Sequence, residues 1–361
     1  MKIMIFDVPA ENGGALSILE DVYEAAKAYN LKDIHWIFVV SKPRLQETEN
    51  IEIIRFPWVK NSWLHRLYFD QVVAPKIVKN YQPDRIFSLQ NVIIPRTRTE
   101  QILYVHQSLP FVDYKFGFNE NKLFWFYQNI LSRAIYKSIK KSRKVILQSN
   151  WFKDACIEKT GENENKFSVV WPQVSVKVDN SFIANSDSLS TFFYPAGAGF
   201  YKNHNLIVEA CEFLKENNFS GYKVIFTLCG NENAHIIDLY KRVKEKNLPI
   251  EFVGKLSREE VFQYYTTSVL IFPSYIETFG LPILESKIHH GLVLAADTPF
   301  SHEILDGYPN AYFFKKFDSK GLATLLKNVS TGYINYTEKI SDNTQSKDSG
   351  VSLIDEIVYQ K

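Results

Sequence analysis

The sequence predicts an α/β protein built from two doubly wound parallel-sheet domains, and three observations carry that prediction. The chain has 361 residues, more than one hydrophobic core usually organises. Short apolar runs bounded by turn residues alternate with amphipathic helical patterns, the βαβ rhythm of a parallel sheet covered on both faces. That rhythm stops at Trp171-Pro172, stays polar and Ser/Asn-rich to about Ser190, and then resumes. The expected organisation is a first domain over 1–172, a linker over 173–190, a second domain over 191–335, and a C-terminal segment over 336–361 whose terminal helix can pack back on the first domain.

Each element has its own signal. The first series has strands at 3–8, 35–40, 51–56, 85–89 and 102–105, with helices at 16–29 and near 63–80. A long helix near 123–138 precedes a strand at 145–148, and Ser149 or Asn150 can cap the helix that follows. The second series has strands at 191–195, 222–229, 250–253, 269–272 and 292–296 with helices between, and 351–359 reads as a terminal helix. Ligands of doubly wound sheets bind beyond the carboxyl ends of the strands, so the sites of the two domains are expected to face one central cleft. Disorder is expected only near 338–350.

Composition narrows the class. Apolar residues at 45% and charged residues at 23% are those of a globular protein, with aromatics high at 15%. The start, MKIMIFDVPAENGG, reads as a buried strand and lacks an apolar signal region, so the expected location is the cytoplasm. No apolar run approaches the ~20 residues that span a bilayer. Cys156, Cys211 and Cys229 are odd in number and far apart, which suits reduced thiols better than a disulfide or metal framework. Net charge is only +2, yet residues 1–166 hold 24 Lys and Arg against 18 Asp and Glu. No acidic residue lies between Glu120 and Asp154, while eight cations and the run Phe124-Trp125-Phe126-Tyr127 do. Residues 122–153 thus suit peripheral contact with the inner face of the plasma membrane or an anionic ligand, or simply a solvated helix face. The basic stretch 133–144 is the sole support for nucleic acid, which is not expected as a partner.

Two loops carry chemistry. In YPAGAGFYKNHNLIVEA, residues 194–210, a strand runs through Gly197 and Gly199 to Lys202 and into a helix. The third glycine of a dinucleotide fingerprint is replaced by Lys202, so NAD fits poorly, whereas a Lys at a helix mouth can meet phosphate oxygens. In FPSYIETFGLPILESKIHHG, residues 272–291, a strand ends at Pro273-Ser274 and a loop carries Glu277 to Gly280 before Pro282 opens a helix. Gly280 permits close approach of a ligand, and the amides of Phe279, Gly280 and Leu281 lie at the positive end of that helix. Glu277 and Glu285, eight apart, are placed on the loop and in the first helical turn, where both can face one crevice. Carboxylates beside a phosphate site suit a ligand that also brings hydroxyls, as a sugar nucleotide does.

This second stretch resembles the E-x7-E signature of the retaining GT-B glycosyltransferases of family 4 (glycosyl transferases group 1), which reads approximately P-S-x-x-E-x-F-G-L-P-x-L-E. The likeness extends over most of the chain: Glu11-Asn12-Gly13-Gly14 is similar to the family's amino-terminal glycine loop, and Tyr104-Val105-His106 to its strand-end histidine. Lys202-Asn203-His204 resembles its donor-phosphate lysine motif, and Phe252 to Ser257, with Lys255, the loop beside the base. The resemblance implies that Lys202 contacts the donor diphosphate, Glu285 the ribose hydroxyls and Glu277 the transferred sugar, with Asn203 and Lys255 also binding the donor. It implies oxygen-binding amides at Phe279, Gly280 and Leu281, a donor contact at Gly13 and Gly14, and His106 beside the reacting sugar. The chain departs from the family at Gly197, where an Arg is usual, and at Gln107, where an Asp is frequent.

The activity implied is transfer, with retention, from a nucleotide-diphosphate sugar to a glycan or lipid-linked glycan in capsule, O-antigen or exopolysaccharide assembly. No cofactor and no metal are expected, because Lys202 and helix amides can stabilise the departing phosphate and no DxD-like pair is present. The competing readings are a GT-B sugar-nucleotide-binding protein, which Gly197 favours, and an epimerase, against which the E-x7-E context argues.

Overall fold

The computed structural model describes residues 1–11, 13–29, 33–172, 180–338 and 352–359. The disorder expected near 338–350 lies outside these residues, apart from residue 338, as do Asn12, the first part of the expected linker (173–179) and the first residue of the expected terminal helix. The chain divides into two compact units, Met1–Trp171 with Asp348–Lys361, and Pro172–Lys347.

The first unit contains β1 (Lys2–Asp7), β2 (His35–Val40), β3 (Ile51–Arg55), β4 (Arg85–Ser88), β5 (Glu100–Tyr104), β6 (Lys144–Leu147) and β7 (Phe167–Val169). They form one sheet in the order β3-β2-β1-β4-β5-β6-β7, all parallel, so the direction of winding reverses between β1 and β4. Both faces are covered, which is why Ile3 to Phe6 of β1 are all apolar instead of alternating. Ile3 and Ile5 pack with Trp36 and Phe38 under the helix Gly13–Ala28. Met4 and Phe6 pack on the other face with Ile37, Val39, Phe69 and Val78. One helical segment runs from Trp63 to Tyr81 with a π-helical turn at Phe69–Val73, and another from Lys122 to Lys141 with a π-helical turn at Tyr127–Leu131. The helix Leu353–Val358 returns to this unit: Ile354 and Ile357 are buried in its core. Arg85 donates to the carbonyl of Val358 at 3.2 Å, and Lys144 pairs with Glu356.

The second unit contains β8 (Thr191–Tyr194), β9 (Lys223–Phe226), β10 (Ile250–Phe252), β11 (Val269–Phe272), β12 (Val293–Ala296) and β13 (Ala311–Phe314). Their order is β10-β9-β8-β11-β12-β13, again parallel, with the reversal between β8 and β11. Aromatic side chains fill much of its core: Phe192, Phe193, Tyr194, Phe226 and Phe272 are all shut off from solvent.

Three features differ from the sequence reading. β7 and β13 are unanticipated edge strands, and neither shows the continuous burial of a central strand, so their apolar signal is weak. Residues 180–190, read as irregular linker, fold into the second unit. Asn185 caps a short helix, Ser186–Leu189, through a capping box with Ser188, and Phe182 donates its N–H to the carbonyl of His289 at 2.7 Å.

Candidate functional site

In the second unit the two chemistry-bearing loops follow β8 and β11, the neighbouring strands at the winding reversal, where doubly wound sheets bind ligands. After β8 the chain passes Gly197 and Gly199 and makes a 3-10 turn at Phe200–Lys202. Asn203, with φ 59°, then leads into the helix His204–Glu216. Tyr194 pins the turn by donating to the Lys202 carbonyl at 2.7 Å. The Lys202 ammonium emerges from that turn and donates to the carboxylate of Glu277, which also accepts from Ser274 at 2.7 Å. Burial is the largest single influence and would favour a neutral Lys202, but the charge of Glu277, the Tyr201 hydroxyl and the hydrogen bond to Glu277 together outweigh it, so the ammonium is held above its ordinary range.

Gly280, with φ 105°, turns the loop after β11 into the helix Leu281–Ile288, with Pro282 within its first turn as expected. Phe279 buries its ring, 2% exposed, so that only its backbone can serve a ligand. Glu285 lies in the second helical turn, one residue beyond the first turn expected for it. It accepts from the Tyr265 hydroxyl at 2.9 Å and lies 3.7 Å from Arg258. Burial raises its carboxyl above the usual range, opposed by Tyr265 and Arg258.

The structure thus engages the two carboxylates separately, Glu277 with Lys202 and Ser274, Glu285 with Tyr265 and Arg258. Ser274, Tyr265 and Arg258 escape sequence reasoning; of the three, only Ser274, directly after a strand-ending proline, carries a local signal. Asn203 has a loop-joining role: its amide donates to the carbonyls of Pro273 and Lys316 at 3.4 and 3.0 Å. His204 is a core residue between Tyr194 and Phe226, its imidazole pushed down to about 3 by burial. Lys255 is exposed on the loop after β10. A Cβ at Gly197 would meet nothing within 4 Å among the described residues.

In the first unit, Gly13 and Gly14 open the helix after β1 and are exposed, Gly13 at φ 62°. The helix therefore begins three residues before the expected start. His106 follows β5, held by Asn91, and burial pushes its imidazole down to about 4. It lines a cavity of about 1200 Å³ that lies within this unit. Residues 122–153 form the helical segment 122–141, β6 and the start of the following helix; Lys144 and Lys153 have carboxylate partners. Trp63 and Leu64, and Leu123 and Ile130, leave large apolar side chains exposed on the two long helical segments. Among the described residues, no helix is long and apolar enough to cross a membrane.

Comparison with known proteins bears on the fold and on the residues around these loops. Residues 180–347 match the family model described as Glycosyl transferases group 1. The O-antigen chain mannosyltransferase RfbU of Salmonella typhimurium is 21% identical over 306 residues, covering 79% of this chain and 83% of that protein. Among solved structures, Anabaena Alr3699/HepE in complex with UDP and glucose superposes with a TM-score of 0.64 at 17% identity, covering 91% of this chain and 89% of that one. The lipopolysaccharide outer core galactosyltransferase WaaB, apo form, gives 0.65 at 15% identity, covering 93% and 92%. The glycosyltransferase WaaG of lipopolysaccharide biosynthesis gives 0.66 at 13%, covering 92% and 90%. The two parallel-sheet α/β domains are those of the GT-B fold.

Proposed function

We propose, from the premise that residues 180–347 are a glycosyl transferases group 1 domain in a chain of GT-B fold, that this protein is a retaining glycosyltransferase of family 4. It moves a sugar from a nucleotide-diphosphate sugar to a glycan or lipid-linked glycan during assembly of surface polysaccharide. The observation that carries this reading is the Lys202–Glu277 pair beside the amino end of the helix Leu281–Ile288, inside the family-matched residues.

The chemistry follows from charge. Departure of the nucleotide diphosphate leaves positive charge on the anomeric carbon and negative charge on phosphate. The Lys202 ammonium and the amides of Phe279, Gly280 and Leu281 supply fixed positive charge for the phosphate, which is why we read the reaction as metal-independent. Glu277 serves hydroxyls of the transferred sugar and Glu285 those of the ribose. Gly13, Gly14 and His106 are assigned to the donor by resemblance alone. Retention places the acceptor on the face the phosphate leaves, where the phosphate itself can take the acceptor's proton.

The acceptor reading is supported by the named relatives, which act on O-antigen and on lipopolysaccharide. A lipid-linked acceptor at the inner face of the plasma membrane also suits the cations of 122–153 and the exposed apolar side chains beside them. Gly197 favours one second reading, a sugar-nucleotide-binding protein without transfer.

Thermal-shift and calorimetric titration with UDP, GDP, dTDP and their sugar conjugates, each with and without Mg2+, tests the proposal. Stabilisation by one nucleotide diphosphate independent of Mg2+ is the expected result. Binding that requires Mg2+ overturns the metal-independent reading, and silence across the panel overturns the transferase.

A further inference from the structure

The cavity of the first unit is lined by six Lys and Arg residues against two carboxylates, Asp70 and Glu100. Arg66 donates to Asp70 at 2.7 Å and to Gln90 at 3.0 Å, and Arg85, which does not line the cavity, lies 3.7 Å from Glu100. The other five cations, Arg96, Arg98, Lys137, Lys141 and Arg143, are exposed, and none has a carboxylate partner among the described residues.

Three elements bring the five together. Arg96 and Arg98 lie on the loop between β4 and β5, which the Gln101 side chain clamps: it accepts from the Ile94 N–H and donates to the Ile94 carbonyl, both at 2.8 Å. Ser138 accepts from the Ile93 N–H at 3.2 Å, tying the same loop to the helix Ser132–Lys141. Arg96 occupies the left-handed region at φ 58°, a conformation that costs energy at a residue with a Cβ and persists where the surroundings impose it. Lys137 and Lys141, four apart, share one face of that helix, a spacing at which like charges repel. Arg143 follows directly before β6, its N–H bonded to the Gln101 carbonyl at 2.9 Å.

The cluster therefore surrounds the amino ends of β5 and β6, whereas doubly wound sheets take their usual ligands at the carboxyl ends. His106, beyond the carboxyl end of β5, lines the same cavity. The mostly extended step from Gln101 to His106, at about 3.3 Å per residue, separates the two ends by roughly 16 Å. Cations on a convex helix face need no ligand beyond water. Here charge of one sign converges from a clamped loop and a helix end on a concave wall, where its field is focused. A lone carboxylate would leave most of that charge unanswered. A diphosphate offers several charges and several acceptor oxygens, the match for guanidinium forks and ammonium groups together.

We propose that Arg96, Arg98, Lys137, Lys141 and Arg143 bind a diphosphate carried by the acceptor, at the end of the cavity remote from His106. The inference rests on the transferase reading for the existence of an acceptor. It is a second phosphate site, distinct from the Lys202 loop, which belongs to the other unit. An acceptor held at both ends of the cavity has its diphosphate several sugar units behind the sugar that reacts, so the site selects acceptors by length as well as by charge.

The test titrates the full chain carrying Lys202→Ala, which removes the donor-site cation, with inorganic diphosphate, inorganic phosphate and geranyl diphosphate at two ionic strengths, beside flotation on phosphatidylglycerol vesicles. Inorganic diphosphate is expected to bind at least tenfold more tightly than phosphate and to weaken steeply with salt. Arg96→Gln with Arg98→Gln, and separately Lys137→Gln with Lys141→Gln, should each weaken it fivefold or more, while Lys137→Arg with Lys141→Arg preserves it. Tighter binding of geranyl diphosphate than of inorganic diphosphate assigns the anion to a lipid carrier, and equal binding to a diphosphate without one. Diphosphate binding that neither glutamine pair alters, no diphosphate binding, or vesicle binding that depends on these cations in its absence overturns the proposal. UDP binding to the parent chain with no diphosphate binding to Lys202→Ala leaves the transferase standing and removes this inference. Cation-dependent diphosphate binding in a chain that binds no nucleotide keeps the anion site and removes the transferase.

Discussion

The Lys202 ammonium donates to the carboxylate of Glu277, 75 residues further along the chain, so two groups assigned to different parts of the donor are partners of each other. A bound diphosphate would take the ammonium and a sugar hydroxyl the carboxylate, which makes donor binding an exchange of partners. The side chains are 21% and 16% exposed, between a surface pair and a buried one. Removing either partner alone is expected to lower stability by about 1–3 kcal/mol, and removing both by less than the sum. Urea denaturation of Lys202→Ala, Glu277→Ala and the double variant measures the coupling, and strict additivity would show that the contact stabilises nothing.

Loss of the Glu277 carboxylate should reach transfer more than binding. Glu277→Ala is expected to lower turnover by roughly two to three orders of magnitude while nucleotide affinity falls only modestly. Steady-state kinetics beside calorimetry separates the two; unchanged turnover removes Glu277 from the mechanism.

The lysine should read phosphate. Lys202→Ala is expected to weaken a nucleoside diphosphate by roughly tenfold or more and the free nucleoside hardly at all. Equal loss for both ligands would contradict the assignment.

Gly197 stands where the family usually has Arg, and a Cβ built there meets nothing within 4 Å among the described residues. Gly197→Arg should therefore meet no clash at its Cβ and, if its guanidinium reaches the diphosphate, tighten it by roughly threefold to tenfold with a steeper salt dependence. Titration at two ionic strengths decides; an unaltered affinity would mean that the chain has no place for a second cation on that loop.

Asp7, at the end of β1, is fully buried, accepts from the Ala10 N–H at 3.3 Å and has its other oxygen unpartnered among the described residues. Burial pushes its carboxyl up to about 8 from an ordinary 3.8, against the smaller opposing effects of the Ala10 bond, Arg66 and Lys60. Between those two values the folded protein keeps a proton that the unfolded chain releases, so rising pH favours unfolding by about 1.4 kcal/mol per unit from this group, levelling off above the upper value. Asp7→Asn keeps the acceptor and removes the charge. It should be the more stable form at pH 8, and the difference from the parent should vanish near pH 4; parallel stability curves would refute the assignment.

The site was readable where its signals are local. Glu277, Gly280 and Pro282 fall within six residues, and a glycine turn followed by proline is enough by itself to declare a helix mouth. Tyr265 lies 20 residues before Glu285 on another helix, and Arg66 lies 24 before Gln90, so nothing in either neighbourhood announces the pairing. Asn203 matches the family motif yet has its amide engaged by Pro273 and Lys316, because position in a motif does not specify which way a side chain turns. The central strands were plain because both faces are buried; β7 and β13, at sheet edges, lack that signal.

The helix Leu353–Val358 has a consequence for biosynthesis. Ile354 and Ile357 complete the first unit's core, yet the ribosome supplies them only after the whole of the second unit has been made. Throughout that interval the nascent first unit lacks these two side chains, while the second unit has all its strands once Phe314 is made and can close before them. The domain begun first is thus finished last, and an arrested or prematurely released chain would leave its apolar surface open to chaperones and proteases.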